Sequence, residues 1–216
     1  MEYYNQEEKE KEEKKKNPTY TDYRCGAYAI AYWKWKEDEE QGIPYNYSKD
    51  QADNYVKGIY DRIRFNAEDV KHLMQFKIPE ITSNQLSNYS SPNKICVDLD
   101  ALNIRREQGT RAIIYTSRPQ IFYWLGLHGN ITKIDKIDDL KTGEKAILLM
   151  GKANGFPRHY IFAYGSNELD AEGHVIMHII DPTNGIDVGT GGNIRNWVGN
   201  TSYNFLNTII KFGHEI

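Results

Sequence analysis

A thiol that does chemistry needs a neighbour to take its proton and a third group to hold that neighbour in place. Three residues of this chain have the types and settings for those roles. Cys25 stands at the head of the first helix-periodic run and is followed by Gly26 and Ala27. A thiol at a helix N-terminus feels the positive end of the dipole and unpaired backbone N–H groups, and both favour the thiolate. The small residues after it leave room for a substrate to approach. A free cysteine can equally be a small core hydrophobe, and Cys96, inside the apolar fragment ICVDL, has only that setting.

The base and its orienter come from two later strand-like runs, RHYIFAY from Arg158 and HVIMHIID from His174, joined by a loop over residues 165–173. A hairpin centred near Asp170 sets His159 opposite Asp181, Ile161 opposite Ile179 and Ala163 opposite Met177. Side chains alternate along a strand, so all six share one face. Opposed residues have Cβ atoms about 5 Å apart, close enough for a carboxylate to take an imidazole proton. Taken singly, His159 would be a surface histidine and Asp181 a turn-opening aspartate before Pro182. His178 falls on the other face without an acidic partner there. His174 and His178 share a face but stand far apart and have no cysteine beside them, so no metal or other cofactor is expected.

The positioning elements follow from periodicity. Ala27, Ile30, Ala31 and Lys34 predict a helix from Cys25 to before Gly42, and Val56, Ile59, Tyr60 and Ile63 predict a second over residues 49–76. Residues 82–93 read as loop, 111–116 as strand, and 120–127 fit neither template. Strand-like runs follow at 145–150, 158–164 and 174–181, then a Gly-rich stretch from Asp187 and a last run over 205–212. Helices first and strands last predict an α+β fold, with the nucleophile's helix packed on a C-terminal antiparallel sheet. Residues 1–16 read as a charged extension ahead of a single domain over 17–216, and within it residues 5–16 alternate in charge and read as a solvated helical or disordered segment.

Composition narrows the function class. The 216 residues carry a net charge of −3, which supplies no basic field for nucleic acid. No apolar run approaches the roughly 20 residues of a membrane span. Two cysteines in a chain of this length do not make a disulfide framework, so free thiols in a reducing compartment are expected. With no apolar signal region at the N-terminus, the expectation is a cytoplasmic protein or one exported by a route that reads no such signal. Hydrophobic residues make up 39% and the tyrosines number 16, which suits a folded chain with many half-polar side chains at its core boundary.

YRCGAYAIAYW resembles the Cys-Gly helix start of papain-like cysteine peptidases, in particular the bacterial peptidase C39-like families. RHYIFAYG is similar to their His-bearing strand, HVIMHIIDPTNG to their strand ending in Asp-Pro-x-x-Gly, and IDKIDDLKTGEKAILLMG to the segment leading to the histidine. The resemblance spans about residues 17–36 and 134–186. It implies a papain-like fold and a thiol hydrolase acting on peptide or isopeptide bonds of a protein or peptide substrate, with Cys25 as nucleophile, His159 as base and Asp181 as orienter. Where the family carries an oxyanion-hole glutamine, about six residues before the nucleophile, this chain has Thr19. The expected donors are therefore the Cys25 backbone N–H with Asn17, Thr19 or Tyr20, and Asn17 is favoured for its amide. Arg24, just before the cysteine, also departs from the pattern. The same three groups would serve a deamidase or transglutaminase-like effector, and a decayed site would leave a binding module with a Tyr-rich surface.

Overall fold

The computed structural model describes residues 2–78, 81–125, 131–152, 156–190 and 203–214. Its axis is helix α2 (Cys25–Glu40), in which every residue from Cys25 to Trp33 is buried, and Trp35 as well. A helix apolar all round has to be surrounded. Helices α3 (Lys49–Ile63) and α6 (Pro92–Ala101) pack against it, as does strand β4 (Pro157–Leu169) of a seven-stranded sheet. The architecture is α+β, as the element order predicted.

The expected helix over 49–76 is two helices. α3 ends at Ile63, Arg64 turns to extended backbone, and α4 (Ala67–Met74) starts afresh from a capping box between Asn66 and Asp69. The apolar spacing runs on across the break, which is why periodicity alone joins the two. Residues 82–93 are not all loop: α5 (Ser83–Leu86) lies inside them, and α6 opens at Pro92 behind a Ser91 cap.

The sheet order is β2 (Ile131–Lys133), β1 (Arg111–Thr116), β7 (Asn204–Gly213), β3 (Lys145–Gly151), β4, β5 (Val175–Ile180) and β6 (Asp187–Gly189). Every pairing is antiparallel except β1 with β2. That departure from the expected sheet has a cause: α7 (Pro119–Leu125) bridges the two as a crossover, and a crossover returns the chain in the same direction. Within the Gly-rich stretch, β6 covers the beginning, and Gly191 to Asn196 lie outside the described residues.

The charged N-terminal run is a helix, α1 (Gln6–Glu13), with no buried residue of its own. The residues ahead of it are core, however, and this corrects the solvated extension. Tyr3, Tyr4 and Asn5 are buried, and the Tyr3 ring stacks 5.5 Å from Tyr32 and 5.9 Å from Trp35. Among the described residues six tyrosines are buried, and most of the others are half-buried. Tyr28, Tyr32 and Tyr160 are among the largest fully buried side chains, their hydroxyls donating to the carbonyls of Asn5, Tyr4 and Ser90. Tyrosine can fill a core while its tip finds a backbone acceptor.

Candidate active site

Cys25 is the first residue of α2, and Arg24 supplies no side-chain cap to the turn it opens. Its guanidinium points elsewhere: Nε and Nη2 donate to the two carboxylate oxygens of Asp22 at 2.8 Å each, and Nη1 donates to Asp53 at 2.8 Å. A buried two-pronged pair of this kind fixes geometry as well as charge, so the atypical Arg24 anchors the nucleophile's lead-in. The first turn therefore has no side-chain cap, and its backbone N–H groups and the positive end of the dipole lie at the end of the helix where Cys25 stands.

The His159 ring donates to a carboxylate on one side and faces the nucleophile on the other. Nε2 lies 2.9 Å from Asp181 Oδ1; the Cys25 thiol, 4.0 Å from the Arg158 carbonyl oxygen, is near enough to the same imidazole to act on its charge. With Nε2 on the carboxylate, Nδ1 is the nitrogen left for the sulfur. The Tyr203 ring stacks on the imidazole with centroids 5.8 Å apart and covers its face. His159 sits beside the bulge where β3 and β4 slip register between Met150 and Gly151, a feature that re-aims side chains at a strand end.

The predicted hairpin forms, but in a different register. Phe162 pairs with Ile180, Ala163 with Ile179 and Gly165 with Met177, two residues away from the expected pairing. The turn lies further along, at 170–174, and the strands slip again between Gly165 and Leu169. Because the slip is by two, His159 and Asp181 keep the same face, whereas a slip by one would have parted them. Asp181 follows the last residue of β5, and its Oδ1 also accepts the Thr183 N–H at 2.8 Å.

Electrostatics favour the charged pair. Burial pulls the His159 pKa down, but the hydrogen bonds with Asp181 and Cys25 outweigh it and raise the group to about 10. Burial likewise pushes the Asp181 carboxyl up, and the bonds from His159 and the Thr183 N–H hold it below the usual carboxylate value.

Cys25 and His159 line a cleft of about 570 Å³. One wall is α1 with its C-cap, through Gln6, Glu7, Glu10, Lys11 and Lys14; the other carries Tyr23, Tyr89, Arg158 and Tyr203. Asn17, Thr19 and Tyr20, expected as oxyanion donors, do not line it. Asn17 and Thr19 are exposed, and Asn17 Oδ1 accepts both the Thr19 N–H at 3.3 Å and its hydroxyl at 2.9 Å. The amide that reaches the cleft is Gln6, which donates to the Asp22 carbonyl at 2.7 Å. Sequence reasoning missed it because it lies in a charged run far ahead of the nucleophile; only the placement of α1 reveals it.

Other expected roles are redrawn. Gly26 is small to admit a neighbouring segment, not a substrate: a Cβ there would stand 2.6 Å from Ser90 Oγ and 2.7 Å from Ser90 Cβ. Cys96 is fully buried, and burial pushes its thiol well up. His178 does have an acidic partner, Asp187 at 2.8 Å, brought by β6. His174 sits in the exposed hairpin turn beside Asp170 at 3.2 Å. Asp170, Glu172 and His174 gather within 4.8 Å there, but the Asp170 carboxylate already caps the turn's N–H groups.

Among the described residues no helix is long and apolar enough to cross a membrane. Comparison with protein-family models, curated proteins and solved structures finds no match to this chain.

Proposed function

We propose that this chain is a thiol-dependent hydrolase of the papain-like type, cleaving peptide or isopeptide bonds through an acyl-thioester on Cys25. One observation carries the reading: a single imidazole on the wall of a cleft is bonded to a buried carboxylate and stands close to a helix-start cysteine on the same cleft. Nucleophile, base and orienter are the minimum set for acyl transfer at sulfur.

The Cys25 proton moves to His159, and the carboxylate of Asp181 steadies the imidazolium. The thiolate attacks the carbonyl carbon, a C–S bond forms, and the π pair moves onto oxygen. The Cys25 backbone N–H and the Gln6 amide are the donors offered to that oxyanion. As the intermediate collapses, the C–N bond breaks and the leaving amine takes the proton from His159. Water then gives a proton to His159 and attacks the thioester; loss of the thiolate restores the starting pair.

An electrophilic thiol probe tests the reading. Cys25 is expected to label in the native chain and not in His159→Ala, and peptide products are expected to carry new N-termini. Absence of labelling at Cys25 in the native chain would sink it. Labelling with ammonia or a crosslinked amine as product assigns the same site to deamidase or transglutaminase chemistry.

A further inference from the structure

We infer that residues 3–10 form a positioning element that holds the two halves of the Cys25–His159–Asp181 set together, with Asn5 as its central positioning residue. The inference rests on the hydrolase reading of that set.

Asp181 lies past the end of β5, so the strand ladder does not fix its carboxylate. The loop after it, residues 182–185, is held instead by the N-terminal segment. The N–H groups of Gln6 and Glu7 donate to the carbonyls of Pro182 and Thr183 at 2.9 and 3.2 Å, and that of Tyr3 donates to Gly185 at 3.0 Å. Asn5 Nδ2 adds a bond to the Asn184 carbonyl at 2.9 Å. Gly185 is what permits this approach: its φ is +68°, and a Cβ would stand 2.3 Å from the Tyr3 carbonyl oxygen.

The same segment grips the nucleophile's lead-in. The Gln6 side chain donates to the Asp22 carbonyl, and Glu10 accepts the Asp22 N–H at 2.9 Å. Lys9 reaches Asp53 Oδ2 at 3.0 Å, while Asp53 Oδ1 takes Arg24. One short stretch of chain therefore ties the loop carrying the orienter to the turn carrying the nucleophile. A misplacement of about 1 Å between reacting groups can cost roughly a hundredfold in rate, so these ties bear on chemistry.

Asn5 isolates the effect because it does not line the cleft. It is 2% exposed; Oδ1 accepts the Glu8 N–H at 2.9 Å as the cap of α1, and Nδ2 donates to Tyr3 and Asn184. Asn5→Ser keeps a capping oxygen and loses both donations. Asn5→Asp keeps the cap and turns an acceptor toward two carbonyls.

The test uses the full chain. Folding of each variant is checked by melting, Cys25 labelling by iodoacetamide is followed from pH 5 to 10, and the His159 ring is titrated by NMR. In folded variants the labelling rate is expected to fall roughly ten- to hundredfold, and the His159 titration to move toward neutrality as Asp181 disengages. Unchanged rate and titration would overturn the proposal. So would faster labelling, which would make α1 a screen over the cleft. If the native chain does not label, the hydrolase reading fails while the His159 titration in Asn5→Ser still reports on the tie. If neither variant folds, hydrogen exchange in the native chain decides: the amides of Gln6, Glu7 and Thr183 are expected to open together. Exchange at Gln6 and Glu7 a hundredfold faster than at Thr183 would show that the segment opens alone and would overturn the proposal.

Discussion

His159 Nε2 and Asp181 Oδ1 meet at 2.9 Å across β4 and the end of β5, with Asp181 diagonal to His159 in the strand register. Diagonal neighbours on one face stand about 7–8 Å apart at the backbone, a gap that an imidazole and a carboxylate span tip to tip. The contact is buried on both sides, which strengthens it and makes its loss expensive.

That contact sets the pH dependence. His159 is raised to about 10, so the imidazolium that protonates the leaving amine persists well above neutrality. In Asp181→Asn the carboxylate's contribution is gone and burial pulls the ring down. The basic limb of the Cys25 acylation profile is expected to shift toward neutral pH, with the rate at pH 8 falling roughly a hundredfold or more. A basic limb unmoved by this change would mean that Asp181 does not govern the base.

The pair also contributes to stability in a defined window. A raised histidine stabilises fully below its unfolded value of 6.5, and that contribution fades as pH rises toward about 10. A lowered carboxylate stabilises above its unfolded value of 3.8, and its contribution fades as pH falls through the depressed value. The gap in melting temperature between the native chain and Asp181→Asn is therefore expected to be widest between about pH 4 and 6.5. It narrows on either side, as melts taken from pH 3 to 10.5 would show.

The two cysteines separate chemistry from packing. Cys25→Ala is expected to abolish hydrolysis and probe labelling while the chain still folds, since one small side chain replaces another. Cys96→Ala is expected to keep activity and lose about 1–2 kcal/mol, because a fully buried thiol leaves α6. Hydrolysis retained in Cys25→Ala would remove the nucleophile.

The oxyanion donor can be assigned by truncation. Gln6→Ala, which removes the proposed donor together with the side chain's bond to the Asp22 carbonyl, is expected to slow acylation roughly a hundredfold or more. Asn17→Ala and Thr19→Ala are expected to stay within a few-fold of the native chain, because their side chains bond each other away from the cleft. A large loss at Asn17 with none at Gln6 would reverse the assignment.

Much of this arrangement was legible in the residues because it depends on local periodicity. Cys25 falls where a helix opens on an apolar run to Trp33, and His159 and Asp181 keep a common face for any even register, so an error of two residues left their relation intact. Elements whose placement depends on distant contacts were not legible. The charge pattern of residues 5–16 gives a helix but not a docking site; the docking comes from Tyr3 and Asn5 ahead of it and from Gly185 far along the chain. The parallel β1–β2 edge required knowing that residues 119–125 coil into a crossover, where a short aromatic run gives no period to read.

Gly26 offers a last test, of the packing beneath the nucleophile. It follows Cys25 in the first turn of α2, and Ser90, just ahead of α6, presses against it. Alanine would favour the helix by about 1 kcal/mol in the abstract. Here its Cβ would lie 2.6 Å from Ser90 Oγ and 2.7 Å from Ser90 Cβ, and 3.2 Å from Ile95 Cδ1. Ser90 cannot easily withdraw, because its carbonyl accepts the buried Tyr160 hydroxyl at 2.7 Å. The overlap should outweigh the propensity, giving a net loss of about 1–3 kcal/mol and a displaced first turn that slows acylation. Ser90→Gly in the Gly26→Ala background removes the colliding Oγ and Cβ and keeps the carbonyl, so it is expected to recover part of both stability and rate. Denaturant midpoints and acylation rates for the two single variants and the double variant give the coupling. A stable, fully active Gly26→Ala would mean that α2 and the Ser90 segment do not meet this closely.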